Sequence, residues 1–106
     1  MPRVEKVSLK LGEGPDRGCV FETDDLQVMR VRLGPGEALP HHNANSHVLL
    51  VPLAGTVRFE TQGAQEKITV GEALSVPYGT PMDISNPAQA PAVFLVLKAP
   101  HPKTFA

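Results

Sequence analysis

Apolar and polar residues alternate along this chain in short runs, and turn residues cut the runs every few positions. Leu26 to Leu33 sets the pattern. Met29, Val31 and Leu33 fall on one side of an extended segment and Arg30 and Arg32 on the other, because side chains on a strand alternate between its two faces. Thr56 to Thr61 repeats it, with Val57 and Phe59 inward and Arg58 and Glu60 outward, and Lys67 to Val70 alternates again. Val48 to Leu53 is apolar throughout, as a strand buried on both faces is. Pro52 inside it cannot donate to a ladder, so it marks an edge, a bulge or the strand's end. Cys19 to Glu22, Ala73 to Val76, Met82 to Ser85 and the strongly apolar Ala92 to Leu97 complete the expected strands. Residues 4–11 alternate loosely, with Val4, Val7, Leu9 and Leu11 apolar, and are expected to form an edge strand.

The segments between these runs are built for turning. Residues 12–18 form a loop, and Thr23-Asp24-Asp25 carries side chains that hydrogen-bond their own backbone. Gly34-Pro35-Gly36, Ala54-Gly55, Gln62 to Gln65, Gly71-Glu72, Pro77 to Pro81 and Asn86-Pro87 are the remaining turns. Eleven prolines and nine glycines lie too close together for a long helix. The expectation is an all-β sandwich or barrel of about eight to eleven short strands. It forms one domain over residues 1–106, with a core at about 19–98. The tail, 99–106, contains two prolines and orders where it docks on a partner.

Composition narrows the function classes. At 106 residues and 42% apolar content the chain fits one small domain with a modest core. Ten basic residues against eleven acidic ones leave a net charge of -1. No run of Lys and Arg could track phosphates, which argues against a nucleic-acid partner. A charge so close to zero lets copies associate against little repulsion. Cys19 is the sole cysteine, so neither an internal disulfide nor a cysteine metal knuckle can form. The first residues lack the apolar core of a signal peptide, and no run approaches the ~18 apolar residues of a membrane helix. A cytoplasmic protein with no membrane partner is expected.

Candidate chemistry concentrates in His41-His42-Asn43-Ala44-Asn45-Ser46-His47, which holds three of the four histidines. Imidazole is the commonest metal ligand and titrates near neutral pH. Strand alternation puts His42 on the opposite side from His41 and His47. A bulge near the start of the strand would let two of the three converge, with Asn43 and Asn45 assisting through their carbonyl oxygens. The segment contains no acid, and Glu37 and Asp83 are the nearest carboxylates along the pattern. The alternative is a polar loop mouth whose imidazoles bond to backbone or water.

Two spaced patterns frame this segment. Gly36 is followed after five residues by His42 and later by Gly55. Gly71 is followed after five residues by Pro77, then by Gly79, Met82 and Asn86. Together they resemble the paired motifs of the cupin superfamily and cover residues 36–55 and 71–86, about a third of the chain. The resemblance implies a double-stranded β-helix, or jelly roll, with a pocket inside the barrel. In metal-dependent cupins the motifs supply three histidines and a glutamate. The matching positions here are His42, Ala44, Val48 and Met82.

Three functional readings follow. In the first, the barrel binds a small organic ligand in a pocket that includes His42, Ala44, Val48, Tyr78 and Met82, with the family's metal site degenerate and no cofactor. In the second, a divalent transition metal held by His41, His42 and His47 serves an oxygenase, isomerase or lyase. In the third, the barrel is a dimerisation scaffold in which Val93-Phe94-Leu95-Val96-Leu97 and the N-terminal strand pair across a homodimer. Only the second makes the protein an enzyme, and the sequence leaves the choice between the readings open.

Overall fold

A computed structural model describes residues 3–12 and 16–106. The chain forms nine strands, β1 (Arg17–Glu22), β2 (Gln27–Leu33), β3 (His42–Asn43), β4 (Val48–Ala54), β5 (Thr56–Thr61), β6 (Ala64–Thr69), β7 (Leu74–Val76), β8 (Pro81–Ser85) and β9 (Ala92–Lys98). A short 3-10 turn, Pro102–Phe105, follows. The strands make two antiparallel sheets. One has five strands in the order β1-β2-β9-β4-β7, and the other has four in the order β3-β8-β5-β6. The all-β expectation and the jelly-roll architecture both hold.

The strand period explains which side chains meet between the sheets. Val31, Leu33, Val48, Leu50, Phe94 and Val96 come from the five-stranded sheet, and Val57, Phe59, Ile68, Met82 and Ile84 from the other, all buried in one cluster. Met29, Val31 and Leu33 face this core as their alternation requires, while Arg32 is exposed on the far side. Arg30 shares that far side but is buried at 2% exposure. Pro52 sits where the β4–β9 register slips between Pro52 and Ala54, so the bulge is the outcome its missing donor selected. The β5–β6 hairpin closes through Gln62 and Gly63, both at positive φ (46° and 85°), the conformation that suits the twist of a two-residue hairpin.

Several expectations need correction. Residues 4–11 do not form a strand: the segment has no regular structure and joins no ladder. Lys10 takes a positive φ of 53°, a conformation that does not fit a strand. Part of the loop expected over 12–18, residues 13–15, lies outside the described residues, and β1 already begins at Arg17. Val48 to Leu53 is not buried on both faces. Val48, Leu50 and Pro52 are buried, whereas Leu49 is exposed and Val51 and Leu53 are half-buried on the outer face. The tail docks on its own chain. The Pro100 carbonyl accepts from Ser46 Oγ, His101 Nε2 meets Glu22 at 2.9 Å, and Lys103 Nζ meets Asp24 at 2.7 Å. No helix among the described residues is long and apolar enough to cross a membrane.

Candidate functional site

A cavity of about 250 Å³ lies between the sheets, just below the roughly 300–1,000 Å³ that ligand pockets enclose. Its walls are Met29 and Val31 from β2, Met82 and Ile84 from β8, Val96 from β9, and Leu39 from the segment before β3. Three polar side chains reach it: Arg17 from β1, His42 from β3 and Lys98 from β9. The register accounts for the two cations. Arg17 stands opposite Val31, and Met29 opposite Val96, so Arg17 shares the inward face of β2's core residues. On β9 the inward series Ala92, Phe94, Val96 continues to Lys98. Burial pushes the Lys98 ammonium below the usual lysine range, since a low-dielectric setting disfavours the charged form.

His42 is set by β3, where it pairs with Met82 of β8. Its Nδ1–H donates to the Pro40 carbonyl at 2.9 Å. A carbonyl can only accept, so in the neutral ring Nε2 is left as the acceptor. The other two histidines of the cluster go elsewhere. His41 Nδ1 pairs with Asp83 Oδ1 at 3.0 Å on the exposed side of β3 and β8. His47 Nε2 and Ser75 Oγ are 2.8 Å apart. His47 lies on the outward face with Leu49, whose cross-strand partner is Ser75.

The structure therefore does not bring His41, His42 and His47 together. Among the described residues no three His, Cys, Asp or Glu side chains are grouped to hold a metal. The phase of the chain explains this. No bulge intervenes between His41 and His42, and Asp83, on the face opposite Met82, captures His41. The four positions that hold the metal in metal-dependent cupins do not fit one here. His42 is the only imidazole, and Ala44, Val48 and Met82 are buried at 1%, 0% and 3% exposure. Met82 offers a thioether, which suits copper(I) rather than the harder divalent ions. Asp83 is the only carboxylate on β8, and it is turned away with His41.

Of the five expected pocket residues, His42 and Met82 line the barrel cavity. Val48 is sealed in the core. Ala44 and Tyr78 line a separate shallow depression under the tail. There the Tyr78 ring stacks on Phe105, with centroids 4.2 Å apart and planes 13° from parallel. Alternation alone put Ala44 and Val48 in phase with His42. Both do point into the buried core between the sheets, but neither is part of the cavity wall, which His42 and Met82 form there. Sequence reasoning missed Arg17 and Lys98. Lys98 was legible as the next inward position after Phe94 and Val96, whereas Arg17 was hidden by its place at the end of a glycine-rich loop.

A family model described as "Cupin domain" matches residues 29–98. An uncharacterized protein of Methanocaldococcus jannaschii is 32% identical over 85 residues, covering 79% of this chain and 73% of that protein. Among solved structures, an RmlC-like cupin family protein with a double-stranded β-helix fold, from the same organism, superposes with a TM-score of 0.83 at 27% identity, covering 98% of each chain. A cupin 2 conserved barrel domain protein from Salinispora arenicola superposes with a TM-score of 0.76 at 12% identity, covering 91% of this chain and 88% of its own. That second likeness concerns the fold alone.

Proposed function

The chain belongs to the cupin domain family, and we propose that it binds a small organic ligand in its barrel cavity without a metal at the family's ligand positions. The observation that carries this reading is the cavity itself. Apolar walls with a few placed polar groups are the usual make-up of a ligand site, and the two family ligand positions that line this cavity are His42 and the apolar Met82. His42 supplies one polar contact at the rim through Nε2. Tagless protein titrated with a small apolar alcohol is expected to show amide shifts at Met29, His42 and Val96. Stoichiometric metal retained after dialysis against zinc, manganese, nickel and iron, and lost in His42→Ala, would overturn it.

A second reading concerns assembly and coexists with the first. On the outer face of the five-stranded sheet, β4 and β9 present an apolar patch, with Leu49 exposed and Val51, Leu53, Leu95 and Leu97 half-buried. Apolar sheet faces of this kind mark interaction sites, and a second copy of the chain meets little charge repulsion. Light scattering is expected to give twice the 11.4 kDa chain mass. Val51→Glu returns the particle to a monomer under this reading. A wild-type monomer at high concentration removes it.

A further inference from the structure

The charged groups that line the barrel cavity have one sign. Arg17 and Lys98 both line it, and no carboxylate does so among the described residues. The sheet register fixes where they stand. On the inward face, one cross-strand row contains Arg17, Val31 and Phe94, the next Cys19, Met29 and Val96, and the next Glu22, Gln27 and Lys98, with Glu22 paired to His101 of the tail and outside the cavity lining. The two cations therefore stand in the rows on either side of the apolar Met29–Val96 row, and their long side chains both border the same cavity. His42 faces them from the other sheet.

From this placement, and resting on the reading of the barrel as a ligand pocket, we infer that the ligand is a small organic carboxylate, its apolar body on Met29, Val96 and Ile84 and its charge met by Lys98 and Arg17. An ammonium held against apolar side chains is poorly solvated. A carboxylate brought beside it restores a counter-charge and charge-assisted hydrogen bonds. A guanidinium adds a planar fork that matches the two carboxylate oxygens. A cationic ligand would meet two like charges, and a neutral one would leave the half-buried ammonium without a counter-charge. The apolar walls set the other half of the chemistry, because a fully hydrated anion gains nothing from them.

Three eight-carbon probes with the same body separate the head group from the pocket: octanoate, 1-octanol and octylammonium. Each is titrated into the full chain by calorimetry and by amide shift mapping. Octanoate is expected to bind about ten-fold or more tightly than octanol, with shifts at Met29, Val96 and His42, and octylammonium is expected not to bind. Lys98→Met and Arg17→Gln, each checked for a native amide spectrum, are expected to weaken octanoate about ten-fold and leave octanol unchanged. Octanol binding as tightly as octanoate, or octanoate binding unmoved by both substitutions, overturns the carboxylate inference and leaves the pocket reading standing. If none of the probes shifts the cavity residues, the pocket reading itself falls and the inference falls with it.

Discussion

At the scale of single residues, two buried or half-buried polar groups do different work. Asn86 is 1% exposed. Its Nδ2 lies 3.1 Å from the Leu33 carbonyl, 3.1 Å from that of Gly34 and 2.8 Å from that of Ala90, while its Oδ1 accepts from Ala88 N at 2.9 Å. An amide nitrogen has two hydrogens, so three acceptors share them. One side chain thereby ties the end of β2 to the loop before β9. Asn86→Ala leaves several buried backbone groups unmet, at 1–3 kcal/mol each where no water replaces the amide. The expected loss is about 3 kcal/mol, read as a lower urea midpoint at unchanged slope. Lys98 contributes in the opposite sense. Burial lowers its pKa, so between the folded value and the ordinary lysine value the unfolded chain binds more protons, and stability rises with pH. Below that window the penalty is complete, and above it the penalty is gone. Lys98→Met is expected to be more stable than wild type at neutral pH, with the difference closing as pH rises past the ordinary lysine range. Parallel urea titrations across that range check it.

At the scale of elements, the turns were the most legible part of the sequence and the phase of strands at their ends the least. Gly55 and Gly79 both take positive φ, 76° and 84°, and both stood out as turn positions. Their surroundings differ in a way that no spacing reveals. A Cβ on Gly55 would lie 2.5 Å from the Pro91 carbonyl oxygen and 3.0 Å from Ala92 Cα, while one on Gly79 meets nothing within 4 Å. Gly79→Ala should therefore cost only the left-handed backbone term, about 1–2 kcal/mol. Gly55→Ala adds a backbone clash that must displace the start of β9, and its thermal midpoint should fall well below that of Gly79→Ala. The same distinction explains the candidate site. Alternation placed Met29, Val31, Val57 and Phe59 correctly because each lies within an unbroken ladder. It also placed Ala44 and Val48 inward, where both join the buried core, but alternation does not show where along that face the cavity ends. It missed Lys98 because the apolar run ends one residue before the strand does. Where a strand stops depends on its partners, and Gln27 of β2 and Val48 of β4 extend β9 to Lys98.

At the scale of the whole molecule, the tail closes one end of the barrel by contacts far apart in sequence. His101 reaches Glu22, Lys103 reaches Asp24, and Phe105 lies on Tyr78. Composition suggested loose ends here, because none of these partners is local. The contacts carry a pH signature whose sign is fixed. The hydrogen bond from His101, followed by one from Gln27, holds Glu22 below the usual carboxylate range. The hydrogen bond and charge of Lys103 do the same for Asp24. A carboxylate whose pKa is depressed by folding contributes stability that is fully present above its unfolded value. That stability is lost as pH falls through the folded value. Lys103 is raised by the hydrogen bond and charge of Asp24, so its share is present below the ordinary lysine value and is lost as pH rises through the higher folded one. Between these limits the ion pairs add to the hold of the aromatic stack and the Ser46 bond on the tail, and that addition is lost at either extreme. Glu22→Gln combined with Asp24→Asn should flatten the acid limb. Between about pH 5 and about pH 2, the amide resonances of Thr104 and Phe105 should move toward free-peptide positions in wild type. In the double variant they should start nearer those positions and move less. If the wild-type resonances of Thr104 and Phe105 do not move across that range, the aromatic stack and the Ser46 bond to Pro100 hold the tail without the ion pairs.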